Sequence, residues 1–300
     1  MSANVALPRA GYAAGDSAIV RCPLCSQESR APVVLAATLK RLLSCQACRV
    51  TFLDPLPAAE ELATRFSDRY ITTAERIERS FESIKEPILS RVAVSIREKF
   101  AGGTILDVGC AGGFFLDRYF PSPDWVKFGV EPSKYAAAKS IEEGIQIFHG
   151  ALANVQLPTA SFDVITALDV LVYFRQPQIE LAVMRRALKP RGLLAIVVPL
   201  AESQLWRQRT RFGRFAGAAR QLTESGHIFF FNPDSLSSAL SRAGFEVSEI
   251  LPIPGVRQRH AYQDFLFASY YGLSRAAWRL SGKRRMLGPN FLILANLKAS

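Results

Sequence analysis

The chain has 300 residues, of which 49% are hydrophobic and 21% are charged, a composition typical of a globular protein with a sizeable core. No run of about 18 apolar residues occurs, which excludes a membrane-spanning helix. The N-terminus lacks the basic start and dense apolar block of a signal peptide, so we expect a flexible leader over residues 1–20 and a cytoplasmic protein. The net charge of +11 favours an anionic partner, or serves solubility alone.

Two Cys-x-x-Cys pairs follow the leader, Cys22 with Cys25 and Cys45 with Cys48. In a chain without a secretion signal, clustered pairs favour a metal site over disulfides. Four thiolates from two such knuckles are typical of a closed, tetrahedral zinc site with a structural role. The sequence therefore predicts a zinc ribbon over residues 21–57, with reduced thiols that bind no metal as the alternative.

The segment that follows the ribbon is predicted to be helical. Helical periodicity runs from Ala58 to about Tyr70, and a second helix is predicted from about Thr73 to Phe100. Pro87 should start, end or kink a helical piece there, because proline lacks an amide hydrogen. We interpret residues 58–100 as a connector or cap.

From residue 101 onward, short apolar runs alternate with helical stretches. This alternation predicts an α/β domain over residues 101–300, with a doubly wound, seven-stranded and mostly parallel sheet. The predicted strands are 104–108, 127–130, 146–148, 162–168, 193–198, 245–250 and 290–297, and the predicted helices are 112–119, 133–143, 178–188 and 233–243. A turn is predicted at residues 189–192.

The first strand of this domain runs into the loop Asp107-Val-Gly109-Cys110-Ala111-Gly112-Gly113. Small residues let the backbone approach a ligand closely, and the helix that follows offers free amide hydrogens. The Asp107 carboxylate would repel a pyrophosphate, but it suits a ligand that carries an ammonium group. Glu131 ends the next strand, where a carboxylate can accept hydrogen bonds from ribose hydroxyls. The pair favours S-adenosylmethionine (SAM) over a nicotinamide dinucleotide.

Four segments together resemble the motifs of class I, Rossmann-like SAM-dependent methyltransferases. They are Leu106–Gly113, Val130–Pro132, Ser161–Leu171 and Ala187–Leu194. The resemblance implies cofactor contacts by Asp107, Gly109, Cys110, Ala111, Gly113, Glu131, Pro132, Ala151, Leu152 and Leu168. The chain also departs from the pattern. Ala111 replaces the middle glycine, Ala151-Leu152 stands where many relatives have an acidic residue that contacts adenine, and Leu171-Val172-Tyr173 replaces Leu-Glu-His.

The ribbon and the helix after it resemble the front end of one group of these methyltransferases. The resemblance implies that they pack over the cofactor site and makes Tyr70 a candidate active-site residue, unless it only packs its helix. The stretch that begins at His227 also resembles a recurrent segment of that group. His227 is a candidate general base, with a purely structural role as the alternative. Tyr173 completes the catalytic candidates.

Two basic segments are candidates for the acceptor side. The insert at about 201–232 carries Arg207, Arg209, Arg211, Arg214 and Arg220 among aromatic residues, which suits an anionic ligand or a solvated face. The segment from Tyr262 to Arg285 mixes aromatic and basic residues, which suits a peripheral membrane contact or a helix packed on the domain.

These patterns predict a SAM-dependent methyltransferase that acts on a small-molecule or sugar-linked acceptor at a hydroxyl. An RNA methyltransferase is the alternative, because zinc ribbons and basic charge suit nucleic acid, although the fourth strand lacks an Asn/Asp-Pro-Pro-Tyr signature. A non-catalytic SAM- or nucleic-acid-binding module is a third hypothesis, and the intact Asp107 and Glu131 argue against it.

Overall fold

The computed structural model describes residues 17–37, 40–65, 75–209, 222, 226–255, 261–282 and 286–299. The strands are β1 (Ser17–Arg21), β2 (Glu28–Ala37), β3 (Lys40–Ser44), β4 (Thr51–Asp54), β5 (Gly103–Val108), β6 (Trp125–Glu131), β7 (Gln146–His149), β8 (Phe162–Leu168), β9 (Leu188–Pro199), β10 (Phe229–Phe230), β11 (Phe245–Ile253) and β12 (Asn290–Leu297). The helices are α1 (Ala59–Arg65), α2 (Glu75–Arg97), α3 (Phe114–Tyr119), α4 (Lys134–Glu142), α5 (Pro177–Ala187), α6 (Ala201–Arg209), α7 (Pro233–Arg242) and α8 (Ala261–Leu280). Short 3-10 turns cover Leu152–Asn154 and Leu171–Tyr173.

The larger sheet has the strand order β11-β12-β9-β8-β5-β6-β7. Strands β5 to β9 run parallel, whereas β12 is antiparallel to both β9 and β11. The chain moves outward from β5 to β6 and β7 and then returns to the other side of β5 to form β8. In open α/β sheets, ligands bind at the carboxyl ends of the strands where the strand order reverses in this way. The predicted α/β class and seven-stranded sheet are confirmed.

Helices cover both faces of this sheet because its central strands are apolar on both sides. Leu106 of β5 and Ile165 of β8 belong to one hydrophobic cluster, together with residues of α5 and α7. Their neighbours Ile105 and Val164 belong to a second cluster, together with residues of α2 and α3. Successive residues of a strand point to opposite faces, so the two strands contribute to two core layers. The helix α2 is continuous through Pro87, so that residue neither starts nor ends it.

The predicted turn at residues 189–192 is wrong, because these residues belong to β9. They are nevertheless out of register with β8, since Phe162 pairs with Leu188 and Val164 pairs with Leu193. The Lys189 ammonium donates to Asp163 Oδ2 at 2.7 Å, which holds the irregular segment against the sheet. The residues that read as a turn therefore form a bulge at the start of a long strand.

A second, antiparallel sheet has the order β1-β2-β3-β4-β10. Its last strand comes from the insert after β9, and Phe229 of β10 pairs with Phe52 of β4. Just before β10, the Ile228 amide donates to the Val172 carbonyl at 2.7 Å and the Ile228 carbonyl accepts from the Leu53 amide at 2.8 Å. The cysteine-bearing sheet is therefore bonded directly to the loop that follows β8. The sequence did not indicate this pairing.

The division into leader, ribbon, connector and methyltransferase domain remains a prediction, and within it β1 begins at Ser17. Leu24 and Val50 of the ribbon belong to the same buried cluster as the core residues of β5 and β8. Among the helices of the described ranges, none is both long enough and apolar enough to cross a bilayer.

Candidate functional site

The loop after β5 bends sharply because several of its residues adopt left-handed backbone conformations. Gly109 has a φ of 74° and Gly113 a φ of 83°, values that favour glycine. A side chain at Gly109 would collide with Val170, and one at Gly113 would collide with Ile145. The α3 helix begins at the next residue, Phe114, so the loop presents its backbone at the carboxyl edge of the sheet.

Ala111, which replaces the usual glycine, is also left-handed, with a φ of 48°. That conformation costs an alanine about 1 kcal/mol. Two hydrogen bonds hold it in place. The Ala111 amide donates to Glu131 Oε2 at 3.0 Å, and the Ala111 carbonyl accepts from the Ser140 hydroxyl at 2.7 Å. These bonds tie the loop to β6 and α4, which explains how the chain tolerates alanine at this position.

Asp107 lies at the carboxyl end of β5, next to the switch point. Its side chain is buried, and the Thr166 hydroxyl of β8 donates to Asp107 Oδ1 at 2.6 Å. Burial raises the pKa of the Asp107 carboxyl to about 7, with a further contribution from the nearby Glu131 charge, while the Thr166 hydrogen bond opposes the rise. A cationic group placed here would stabilise the ionised carboxylate.

Glu131 ends β6, and its carboxylate is held by two backbone amides. Ser133 donates to Oε1 at 2.9 Å and Ala111 donates to Oε2 at 3.0 Å. Burial raises the pKa of the Glu131 carboxyl despite these bonds. Each carboxylate oxygen can accept a second hydrogen bond, so the oriented group could still receive the hydroxyls of a ligand. Pro132, the next residue, is exposed.

The other predicted cofactor residues lie at the same edge of the sheet. Leu168 ends β8, and Ala151 and Leu152 come directly after β7. The Gly150 amide between them and β7 donates to the Glu131 carbonyl at 3.0 Å. Cys110 is buried, and burial raises the pKa of its thiol, so the neutral thiol of this loop residue packs against Gly129 of β6.

Tyr173 and His227 are brought together by elements far apart in the chain. The hydroxyl oxygen of Tyr173 lies 3.2 Å from His227 Nε2, and the two rings meet edge to face with centroids 5.1 Å apart. The Gln204 side chain of α6 lies 3.5 Å from His227 Nδ1. Tyr173 follows β8, which ends at the carboxyl edge of the sheet. Gln204 and His227 belong to the insert after β9, which packs at the same edge. Tyr70, the third catalytic candidate, lies outside the described residues.

Sequence reasoning missed the ion pair between Lys85 of α2 and Asp169. The Lys85 ammonium lies 3.0 Å from Asp169 Oδ2, and Asp169, which follows β8, has a φ of 67°. The buried Asp169 Oδ1 has no hydrogen-bond partner within the described ranges. The pair brings the part of α2 around Lys85 to the carboxyl edge of the sheet. Asp169 lies inside the fourth-strand motif, which was the available signal, whereas nothing in the sequence indicated Lys85.

The four N-terminal cysteines converge on one point. Their sulfur atoms all lie within 4.8 Å of one another, and both the Cys22–Cys48 and Cys25–Cys45 sulfur pairs are 3.7 Å apart. In a zinc tetrahedron with bonds of about 2.3 Å, sulfur atoms are about 3.8 Å apart. The donor set therefore has the size and shape that a four-thiolate metal site requires.

The two knuckles have matching backbones. The residue after each second cysteine, Ser26 or Arg49, is left-handed and donates its amide to the carbonyl of the first cysteine of its pair, at 2.8 and 2.9 Å. The first cysteine amides donate to the carbonyls of Gln27 and Val50, both at 2.9 Å. A hydrogen bond from Cys22 lowers the pKa of the Cys48 thiol to about 5, and the same bond raises the pKa of Cys22. All four cysteines are free thiols, so the two matching turns, and not a disulfide, bring the sulfur atoms together.

The two basic segments are only partly described. Arg211, Arg214 and Arg220 of the insert lie outside the described residues, and for Arg207 and Arg209 only the backbone is described. The C-terminal segment forms α8, which packs on β11. The Trp278 indole donates to the Ile250 carbonyl and the Tyr271 hydroxyl donates to the Pro252 carbonyl, both at 3.2 Å.

Comparison with known proteins agrees with this geometry. A family model described as a methyltransferase domain matches residues 81–250. A tRNA U34 carboxymethyltransferase from Methylococcus capsulatus is 26% identical over 163 residues, which cover 51% of this chain and 48% of that protein. A mitochondrial ubiquinone biosynthesis O-methyltransferase from Schizosaccharomyces pombe is 29% identical over 164 residues, 51% of this chain and 59% of that one. The chain thus spans about half the length of these relatives.

Solved structures show the same fold. A SAM-dependent methyltransferase from Thermotoga maritima superposes with a TM-score of 0.52 at 18% identity, over 79% of this chain and all (100%) of that chain. A methyltransferase from Haloferax volcanii, solved in complex with the activator Trm112, gives a TM-score of 0.56 at 16% identity, over 78% of this chain and 97% of that one. The family match covers more than half of the chain and includes the glycine loop, Glu131 and the switch point. The chain therefore belongs to the class I, Rossmann-like family of SAM-dependent methyltransferases.

Proposed function

We propose that the enzyme transfers the methyl group of SAM to a hydroxyl of a small-molecule or sugar-linked acceptor. The observation that supports this proposal is the 3.2 Å contact between Tyr173 and His227. Tyr173 stands where many small-molecule methyltransferases have the histidine of Leu-Glu-His, and His227 supplies an imidazole to the same place from the insert. A site that methylates a hydroxyl benefits from such a base.

The cofactor pocket in this proposal is the carboxyl edge around β5, β6 and β8. Asp107 would pair with the cofactor's ammonium group, and Glu131 would accept from its ribose hydroxyls. The loop residues Gly109, Cys110, Ala111 and Gly113 would lie against the cofactor. Leu168, Pro132, Ala151 and Leu152 would surround the adenosine.

The bound cofactor supplies a methyl group already activated on a positively charged sulfur. The enzyme's own residues then need to hold the acceptor oxygen in line with that carbon and exclude water. A neutral imidazole with an unprotonated Nε2 accepts the Tyr173 hydroxyl proton, and Tyr173 in turn accepts the proton that the acceptor hydroxyl loses. In this tautomer Nδ1 carries a hydrogen and must donate, so Gln204 would have to present its amide oxygen, the reverse of the recorded orientation, in which its NH2 nitrogen lies 3.5 Å from Nδ1. The two orientations are related by an amide flip.

We expect His227→Gln to lower kcat by about 100-fold or more on a hydroxyl acceptor, because proton transfer to a positioned base contributes roughly 10²–10⁴-fold. Tyr173→Phe should also lower kcat, and neither variant should change SAM affinity. Steady-state kinetics and calorimetry on both variants measure this, with Tyr270→Phe, an exposed tyrosine of α8, as the matched control. Unchanged kcat in both variants would leave the pair with a structural role only.

The cofactor assignment is tested separately by calorimetry with SAM and S-adenosylhomocysteine. We expect Glu131→Ala to weaken binding at least 10-fold, because the variant loses hydrogen bonds to a charged group, each worth about 1.5–3 kcal/mol. Glu142→Ala, which removes an exposed glutamate of α4, should bind like the wild type. Equal affinities for all three proteins would show that the ribose lies elsewhere.

RNA is a second candidate acceptor. The net charge of +11 suits a polyanion, and one relative is a tRNA U34 carboxymethyltransferase. Methyl transfer from labelled SAM to bulk tRNA, compared with transfer to phenolic and sugar acceptors, distinguishes the two classes.

We also infer that Cys22, Cys25, Cys45 and Cys48 hold a structural Zn²⁺ ion. Four protein ligands leave no open position for a substrate. The zinc would therefore stabilise the ribbon and, through β4 and β10, the segment that carries His227.

A further inference from the structure

A groove of about 480 Å³ lies between α2, α8 and the end of β11. Neither the cofactor loop nor the Tyr173–His227 pair contributes to it. Two guanidinium groups line it, Arg91 of α2 and Arg275 of α8, together with the Tyr271 ring and Pro254. A concave site with two arginines is suited to an oxyanion, because each guanidinium can offer two parallel hydrogen bonds.

The arginines are available for a ligand. Arg91 Nε is buried, and no residue within the described ranges accepts a hydrogen bond from it. Arg91 nevertheless lines the groove, so an anion there would meet the outer part of its side chain and not the buried Nε. The Arg275 guanidinium lies 5.8 Å from the centre of the Tyr271 ring, and the Tyr271 hydroxyl donates to the Pro252 carbonyl at 3.2 Å. The ring is thus fixed by β11 and presents one side to Arg275.

Glu86 also lines the groove, and its charge does not cancel those of the two arginines. The Glu86 carboxylate lies close to the Tyr119 phenol, and it adds to the effect of burial in raising the pKa of Tyr119. Arg118 lies close to the same phenol and lowers that pKa. Two guanidiniums and one carboxylate line the groove, which leaves it with a net positive charge.

The groove begins at the edge of the sheet where the cofactor pocket lies. Pro254 follows Ile253, whose partner Asn290 pairs with Pro199 at the carboxyl end of β9. On the other side, Lys85 contacts Asp169 at the same edge, and Arg91 is six residues further along α2, a distance of about 9 Å at 1.5 Å per residue. The strands β12 and β9 lie between β11 and β8, a separation of about 14 Å at about 4.8 Å per strand, so only an extended acceptor would span the distance from the cofactor pocket to the groove.

We propose that this groove binds a phosphate group of the methyl acceptor, so that the substrate is a phosphate or pyrophosphate ester. This inference rests on the proposed function for its link to catalysis. The binding of phosphate itself depends only on the shape and charge of the groove.

The proposal is tested by calorimetric titration of the whole protein with inorganic phosphate and with pyrophosphate. We expect millimolar or tighter binding, with pyrophosphate the tighter ligand. Arg91→Gln and Arg275→Gln should each weaken it at least 10-fold, whereas Arg91→Lys should restore only part of the affinity because lysine lacks the fork. Arg191→Gln, which removes an exposed arginine of β9 at the opposite end of the strands, is the matched control.

Each result has a defined meaning. Loss of binding in the groove variants with retention in Arg191→Gln supports the proposal, whereas equal binding in all variants, or none to the wild type at about 10 mM (about −2.7 kcal/mol), overturns it. S-adenosylhomocysteine titrated into the same samples checks that the variants are folded. If that ligand binds and the phosphates do not, the groove proposal fails alone. If that ligand does not bind to the wild type, the proposed function fails independently of the groove.

Discussion

Asp107→Asn is expected to weaken SAM binding by about 10- to 150-fold, because a hydrogen bond to a charged group is worth about 1.5–3 kcal/mol. The change keeps the shape of the side chain and its contact with Thr166, but removes the negative charge that would face the cofactor's ammonium group. Calorimetry with SAM and S-adenosylhomocysteine measures the effect. Asp124→Asn, which alters an exposed aspartate at the amino end of β6, is the control and should bind like the wild type.

The same residue predicts a pH dependence. The pKa of the free Asp107 carboxyl is raised to about 7, so the group is increasingly protonated below that pH. Binding of an ammonium group requires the ionised form and must therefore release the proton. Affinity should fall by up to about 10-fold per pH unit below pH 7 and level off above it. The Asn variant should lose this dependence, and a dependence that persists in it would place the titrating group elsewhere.

Cys48→Ser is expected to abolish zinc binding and to unfold the ribbon. Structural zinc sites contribute about 10–16 kcal/mol of apparent binding free energy that folding depends on. Because β10 pairs with β4, loss of the ribbon should also release the segment that carries His227 and lower activity together with thermal stability. Metal analysis, thermal unfolding and methyl transfer on the same preparation measure these effects.

The control for this prediction is Cys110→Ser, which changes the cysteine outside the cluster and should keep one zinc ion per chain. A strong chelator should reproduce the Cys48→Ser effect in the wild type. Stoichiometric zinc in the Cys48→Ser protein, or an unchanged unfolding temperature after the metal is removed, would contradict the structural role of the site.

Much of the α/β architecture could be predicted because its signals are local. The strands 162–168 and 290–297 have the bounds that their apolar runs predicted, and the loop from Asp107 to Gly113 combines turn chemistry with a helix start. The prediction of a turn at residues 189–192 was wrong because proline and glycine also occur in strand bulges. Local composition cannot tell the two apart without the partner strand.

The acceptor side was less predictable because its contacts join distant segments. Tyr173 and His227 could each be selected from a resemblance, but nothing in the sequence placed His227 Nε2 beside the Tyr173 hydroxyl. That contact depends on β10, whose two residues are too short for a strand signal. The Lys85–Asp169 pair and the groove between α2 and α8 likewise depend on how helices pack on the sheet, which periodicity does not specify.

The pairing of β10 with β4 also bears on the order in which the chain can fold during synthesis. The cysteine knuckles lie close together in sequence and can assemble as soon as they leave the ribosome. The outer edge of β4, however, stays without its partner until more than half of the chain has followed it, because Phe229 must emerge before it can pair with Phe52. An unpaired strand edge is a template for association with other chains, and contacts between distant residues form slowly. A nascent or truncated chain that ends before β10 should therefore aggregate more readily than the 300-residue chain.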